Sequence, residues 1–560
     1  MASLANQRTG GQLVADALKL HGVDTVFCVP GESYLAVLDG LYDIRNDIRV
    51  VICRQEGGAA NMAEAYGKLT GKPGICMVTR GPGASNATIG VHTAMQDSTP
   101  MVLLVGQVGR EMMHREAFQE VDFEKMFEPL AKWAVQIDDP ARVPEIVSHA
   151  FYVAMSGRPG PVVVALPEDM LTELSSAELG DPYKVVRPYP DPRDMASMRA
   201  MLAEAERPLM IVGGGGWSAE TRADIMAFAE ANNLPTGVSF RCQDYFDNRH
   251  PNYVGHVGIG IDGPLGERVK AADLLLVVGA RLGEITTAGY SLIQPPRPKQ
   301  RLIHVHGGAD ELGRVYQADL PINAGSAAFA AAARALDPIT NPAWASDAGE
   351  ARADYEASLE PKAQPGDLDM AEVVKFLCAE LPEDAIVTNG AGNYAQWAHK
   401  HLQYKSFRSQ LAPTSGAMGY GVPAAVAAKA VFPDRMVVSF NGDGCFMMCG
   451  QELATAVQYG LDPIFLIVNN GMYGTIRMHQ EREYPTRVIG TELANPDFAA
   501  LGRAYGAHGE TVERTEDFPA AFRRARDAGK AAVLDLRISP ESLSPGMTLS
   551  GLRESALARQ

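Results

Sequence analysis

The sequence has little of what would set it apart from ordinary globular enzymes. Its cysteines (Cys28, Cys53, Cys76, Cys242, Cys378, Cys445 and Cys449) are few for 560 residues, odd in number and unevenly spaced. They describe no disulfide framework and fit a reducing cytoplasm. No stretch approaches 18 uninterrupted apolar residues, and the N-terminal residues lack a basic segment followed by an apolar run, so nothing in the sequence sends the chain across a membrane. Positive charge is short as well. Lys plus Arg is 50 against 67 for Asp plus Glu, the net charge is −17, and no basic cluster relieves it, which argues against a nucleic-acid partner. The absence of a short repeat excludes a solenoid. What is present is a globular balance, 46% hydrophobic and 21% charged, that excludes disorder as the main state. At roughly 100–200 residues per domain the length implies three or four domains.

Apolar runs at 25–29, 49–53, 75–79, 101–105 and 162–165 alternate with helical patterns. The first such pattern is the stripe Leu13, Val14, Ala17, Leu18 and Leu20, closed by Gly22. This alternation predicts a parallel α/β domain over 1–182, followed by an exposed Pro- and charge-bearing linker at 183–194. A second α/β domain, 195–336, has strand candidates at 209–212, 274–278 and 302–305 and ends in an Ala-rich helix at 326–336. The polar, Pro-containing residues 337–368 read as a second connector. The third domain, 369–545, has strand candidates at 385–387, 436–440, 464–468 and 532–536. The expected fold class is α/β, with three doubly wound parallel-sheet domains.

The most informative stretch is VVSFNGDGCFMMCGQELATAVQYGLDPIFLIVNN, 437–470. An apolar strand ends at Asp443 between Gly442 and Gly444, a helix of about 14 residues is expected next, and a second apolar strand ends at Asn469 and Asn470. Asp443 and Asn470 stand 27 positions apart, which suits a strand–helix–strand unit that brings both ends to one sheet edge. Ligands bind at that edge in open α/β sheets, and Asp, Asn and carbonyl oxygens suit a Mg²⁺ bridging a diphosphate. Taken alone, Gly-Asp-Gly also reads as a plain strand-to-helix turn with an Asp cap.

GDG followed at this spacing by NN resembles the cofactor motif of thiamine diphosphate enzymes. More of the chain is similar to their acetolactate synthase branch: CRQEGGAANMAEAYGKLTGKPG (53–74), TRGPGASNATIG (79–90), QDSTPMVLLVGQVGR (96–110), EAFQE (116–120), SGRPGPVVVALPED (156–169) and GAMGYGVPAA (416–425). The resemblance implies pyrimidine-binding, central and diphosphate-binding domains in that order. It also implies thiamine diphosphate with Mg²⁺, and a homodimer or homotetramer whose sites are shared between subunits. It makes Glu56 the partner of the aminopyrimidine ring, Gly416 a backbone acceptor for its amino group and Met418 the wedge under the bent cofactor. Gly392, Asn393, Tyr394, Gly444 and Cys445 become diphosphate-side contacts, and Asp443, Asn470 and the Met472 carbonyl become metal ligands. Gln119, beside Phe118, is placed near the substrate with Pro30, Gly31, Glu32 and Ser33. Plainer readings stand beside these: a first-turn acid for Glu56, core for Met418, a Gly-rich turn for 392–394, a solvated helix piece for 117–120 and structural groups for His92 and His114.

The activity implied is decarboxylation or carboligation of a pyruvate-like 2-oxo acid. A ketone or diketone hydrolase or an acyltransferase with the same cofactor is the alternative, and a noncatalytic nucleotide-binding protein is the reading from a different class. Departures from the acetolactate synthase pattern bear on the substrate: Glu32 stands for the usual Gly, Glu168 for the usual Lys and His479 for the usual Trp. They bear on FAD too, which is in doubt. RLGEI keeps Arg281 but has Ile285 at the second Arg, and His306 falls at the acidic adenosine contact. Gly213–Gly216 follows a strand but lacks the full GxGxxG spacing.

Overall fold

The computed structural model describes residues 7–559, which divide into two compact units between Val186 and Arg187. The first unit holds one six-stranded parallel sheet, ordered Arg49–Ile52, Thr25–Cys28, Gly74–Val78, Met101–Gln107, Pro161–Pro167, Trp133–Gln136. Its three central strands are buried along their whole length because helices cover both faces, and they therefore read as continuous apolar runs. Helix Gly10–Leu20 opens with a capping box between Thr9 and Gln12 and ends before Gly22, which sits at φ 77°. Its Leu13, Val14 and Leu18 pack into a core with Val26, Ile75, Val102 and Val164.

The second unit holds two more six-stranded parallel sheets. One is ordered Tyr253–Val257, Thr236–Ser239, Pro208–Val212, Leu274–Val278, Arg301–His306, Leu320–Asn323. The other is ordered Gln410–Leu411, Ile386–Asn389, Val437–Gly442, Ile464–Asn469, Ala532–Arg537, His508–Val512. Numbered along the chain, the first and last sheets share the order 2-1-3-4-6-5, while the middle sheet has the 3-2-1-4-5-6 order of dinucleotide-binding folds. Each sheet reverses its winding beside its first strand, and the loops leaving neighbouring strands diverge there to leave a crevice.

The expected α/β class with three doubly wound parallel sheets is what the structure shows. Within the three six-stranded sheets, six strands carry no strand candidate in the sequence. Five of them lie at sheet edges: Trp133–Gln136, Tyr253–Val257, Leu320–Asn323, Gln410–Leu411 and His508–Val512. An edge strand is partnered on one side only and tolerates mixed polarity, so its apolar signal is weak. The sixth, Thr236–Ser239, is interior but consists of Thr-Gly-Val-Ser.

Two local expectations need correction. The polar connector 337–368 contains helix Ala345–Ser358, anchored by Trp344, which is buried and donates its indole N–H to the carbonyls of Asn232 and Asn233 at 3.2 and 3.0 Å. The helix after Asp443 is also not one run of 14. Helix Asp443–Cys449 gives way to a tight turn at Gly450–Glu452, and Leu453–Gln458 follows as a separate helix. The break falls at Cys449, which takes φ −139° and ψ 19°, and the residue after it is glycine because the Phe446 ring lies 2.7 Å from where a Cβ on Gly450 would stand.

Candidate functional site

In the second unit, loops leaving the strands Ile386–Asn389, Val437–Gly442 and Ile464–Asn469 border a cavity of about 250 Å³. Gly392, Asn393, Tyr394, Gly416, Met418, Asp443, Gly444, Cys445, Asn470 and Met472 all line it. The glycine between Asp443 and Cys445 is required by close packing: a Cβ on Gly444 would stand 2.5 Å from the Tyr473 ring. Gly416 lines the cavity with φ 69° and open space where a Cβ would stand. Met418 is half-buried against the core of this sheet, where the plain-core and wedge readings overlap.

Asp443 is buried. One carboxylate oxygen accepts the Gly444 N–H at 2.8 Å, and the other accepts the Gly471 N–H at 2.9 Å and the Asn495 amide at 2.8 Å. Burial pushes its carboxyl above the usual range, opposed by the donors of Gly444, Asn495, Gly471 and Met472. No Lys, Arg or His forms an ion pair with it among the described residues. The Asn470 side-chain oxygen accepts the Met472 N–H at 3.3 Å, and the Met472 carbonyl accepts the Gly474 N–H at 2.9 Å, leaving a second lone pair. The Cys445 sulfur receives the Tyr394 hydroxyl and the Gly419 N–H, each at 3.1 Å, and burial raises its thiol pKa. Asn393 is anchored to Thr475, which accepts its N–H at 2.9 Å and donates to its side-chain oxygen at 3.1 Å.

Asn495 has no sequence signal. It lies 52 residues beyond Asp443 in a loop, and arrives because residues 491–493 pair antiparallel with 471–473. It also donates to Asn469 at 3.0 Å. One carboxylate, one side-chain amide oxygen and one backbone carbonyl make an all-oxygen donor set that suits a hard cation.

In the first unit, Glu56 is the first residue of helix Glu56–Thr70, which Gln55 caps by accepting the Gly58 N–H at 3.0 Å. One Glu56 oxygen accepts the Asn86 amide at 2.9 Å, a contact that the sequence did not signal. Glu56 and Gln119 approach one loop from two sides: a Cβ on Gly83 would stand 3.5 Å from Glu56, and one on Gly81 2.8 Å from the Gln119 carbonyl. Gln119 takes φ 65°, and Phe118 is 73% exposed in a turn rather than buried on a helix.

Beside them Arg80 is buried and makes three hydrogen bonds. It donates to Glu32 at 2.8 Å, to Glu168 at 3.2 Å and to the Phe118 carbonyl at 3.3 Å. Ser33 shares a hydrogen bond with Thr79 at 2.9 Å, while Pro30 is exposed and Gly31 half-buried. His114 is exposed, His92 is half-buried, and exposed His479 contacts Arg482.

In the middle sheet, the Nδ1 of buried His306 accepts the Gly308 N–H at 3.0 Å, and the carbonyls of Gly213 and Gly214 accept the Trp217 indole and the Tyr245 hydroxyl, each at 2.8 Å.

Three family models cover the chain: the N-terminal TPP binding domain of thiamine pyrophosphate enzymes at residues 8–126, the central domain at 195–333 and the C-terminal TPP binding domain at 390–536. The chain is 32% identical to the acetolactate synthase large subunit of Corynebacterium glutamicum, over 98% of this chain and 89% of that protein. It is 33% identical to the acetolactate synthase large subunit of Parasynechococcus marenigrum, over 95% and 87% of the two chains. With the acetolactate synthase isozyme 2 large subunit of Escherichia coli it shares 32% identity over 92% of each. The chain therefore belongs to the thiamine pyrophosphate enzyme family, in its acetolactate synthase-like branch, and is a thiamine diphosphate-dependent enzyme of the carboligase type.

Proposed function

We propose that the cavity holds the diphosphate end of thiamine diphosphate through Mg²⁺ and that the enzyme, working in the cytoplasm, acts on a pyruvate-like 2-oxo acid by decarboxylation, carboligation or both. The observation that carries this reading is Asp443, a buried carboxylate at the cavity wall with backbone and amide donors but, among the described residues, no ion-paired cationic side chain. A divalent ion bridging to a diphosphate supplies that balance. Asp443, Asn470 and the Met472 carbonyl would hold the metal. Gly392, Asn393, Tyr394, Gly444 and Cys445 would border the diphosphate, the Gly416 carbonyl would accept the pyrimidine amino group, and Met418 would fill the space between the cofactor's rings. When bound, the cofactor supplies a nucleophilic carbon and an electron sink. Glu56 holds the proton that the pyrimidine ring needs, and Gln119 donates to the substrate from the neighbouring loop.

Protein denatured after purification should release thiamine diphosphate. Exhaustive chelation should abolish rebinding until Mg²⁺ returns, and Asp443→Ala should weaken binding by about 10- to 100-fold or more. Equal affinity with and without the metal overturns the reading.

Arg80 favours a second reading of what meets the activated donor. Its guanidinium already faces two carboxylates and a carbonyl, which offset the charge that would attract the carboxylate of a second 2-oxo acid. A neutral ketone or diketone substrate, as in a hydrolase, suits that edge better. Mass spectrometric product analysis with pyruvate, a cyclic diketone and phosphate as inputs separates the two. Acetolactate as the main product removes the second reading, and conversion of the diketone without it removes carboligation.

A further inference from the structure

We propose that Asn495 is a positioning residue for the metal: it fixes the Asp443 carboxylate so that the site suits a small ion of rigid octahedral geometry. The inference rests on the reading of the cavity above and deepens it. One Asp443 oxygen accepts the Gly444 N–H at 2.8 Å, and the other accepts the Gly471 N–H at 2.9 Å and the Asn495 amide at 2.8 Å. Asn495 is the side-chain donor in this set, and the same amide nitrogen also donates to the Asn469 oxygen at 3.0 Å. The Asn469 amide in turn donates at 2.9 Å to Asp535, which is buried in the neighbouring strand Ala532–Arg537. Both ends of the series Asp443, Asn495, Asn469, Asp535 are carboxylates, and an ionised carboxylate only accepts. The amides between them therefore have one consistent orientation. Asn469 turns its nitrogen to Asp535 and its oxygen to Asn495, and Asn495 turns its nitrogen to Asp443 and Asn469 together.

The loop that carries Asn495 is held on both sides by bonds that do not involve this side chain. Before it, the Thr491 carbonyl accepts the Tyr473 N–H and the Leu493 N–H donates to the Gly471 carbonyl, each at 2.9 Å. After it, Asp497 caps helix Phe498–Ala504 by accepting the Ala500 N–H at 2.8 Å. Removing the amide therefore leaves the backbone in place and loosens the Asp443 oxygen that it holds. The Gly471 N–H remains on that oxygen but is itself shared with the Asn469 oxygen at 3.3 Å. A carboxylate held less firmly costs most for Mg²⁺, which demands near-ideal octahedral geometry at about 2.0–2.1 Å, and least for Ca²⁺, whose shell of about 6–8 oxygens is flexible. Any change in the charge on the carboxylate acts in the same direction on both ions, so the ratio of the two affinities reports the positioning.

The test uses the full chain with thiamine diphosphate present and titrates Mg²⁺ and Ca²⁺ separately by isothermal calorimetry. Asn495→Ala should raise the Kd for Mg²⁺ by about tenfold and the Kd for Ca²⁺ by less than about threefold. A loss for Mg²⁺ that exceeds the loss for Ca²⁺ by about threefold or more supports the proposal. A smaller difference overturns it, whether both ions lose affinity equally, which marks Asn495 as merely structural, or neither does. If Asn495→Ala fails to fold by circular dichroism and thermal melting, the same comparison is made with Asn495→Ser, whose short hydroxyl keeps a single donor, and the same threshold decides. Failure of the cavity reading has a different signature. A wild-type chain that binds thiamine diphosphate equally well with and without either ion overturns that reading, and the role of Asn495 with it.

Discussion

At the scale of single residues, the chemistry proposed for Glu56 depends on a carboxyl group that can carry a proton. Its neighbour Asn86 fixes one oxygen, and Gly83 leaves room beside the other. Glu56→Gln preserves this shape and removes only the proton chemistry. Thiamine diphosphate should still bind, turnover should fall by about 10²- to 10⁴-fold, and exchange of the cofactor's reactive-carbon proton, followed by NMR after acid quench, should slow in step. Unchanged exchange would remove Glu56 from proton transfer. Glu56 was legible because it stands at a strand-to-helix junction inside a long recognisable motif. Asn86 and Asn495 were not, because an asparagine in a helix or loop has no pattern that says which carboxylate it will meet.

At the scale of elements, the C-terminal segment is part of the cavity wall through Ile538, Ser542 and Leu543, and helix Leu549–Leu557 is pinned to helix Gly474–Glu483. The pin is Glu481, fully buried, which accepts two hydrogen bonds from Arg553 at 2.6 and 2.8 Å, one from Arg477 at 3.1 Å and the Thr486 N–H at 3.1 Å. Arg553 is the main cause that holds the Glu481 carboxyl down, to about 2. Because the folded value lies below the unfolded one, the pair's contribution is complete above roughly pH 5 and is lost as pH falls toward 2. Arg553→Ala should cost roughly 1.5–3 kcal/mol in the docking of this segment at neutral pH and expose it to limited proteolysis. The difference from wild type should shrink on acidification through that window. Equal cleavage rates at pH 7 would contradict the assignment.

At the scale of the whole molecule, Glu56 belongs to the unit of residues 1–186 and Asp443 to that of 187–560. In the proposed assembly the pyrimidine-binding unit of one subunit completes the diphosphate-binding unit of another, so a two-fold pair makes two sites. Mixing Glu56→Gln with Asp443→Ala subunits, each inactive alone, should restore activity, since a mixed dimer contains one intact site and one doubly damaged site. With random exchange about half of the dimers are mixed, and activity should approach about a quarter of wild type. Absence of complementation despite proven subunit exchange, or an active monomer by light scattering, rejects the shared site.

The sequence by itself determined the α/β class, the interior strands apart from Thr236–Ser239, and the GDG–NN unit, because these are written in short periods: apolar runs of strand length, a helical stripe closed by Gly22, and a spacing of 27 positions that fits one strand–helix–strand crossover. Only the tertiary structure decided the edge strands other than Arg49–Ile52, the break at Cys449, the Asn495 contact with Asp443, the pairing of Arg80 with two carboxylates and the reach of Arg241 to carbonyls 149 and 172 residues away. Those contacts join loops whose neighbours are set by strand order across a sheet, and strand order is a property of the packed chain that no local window of residues contains.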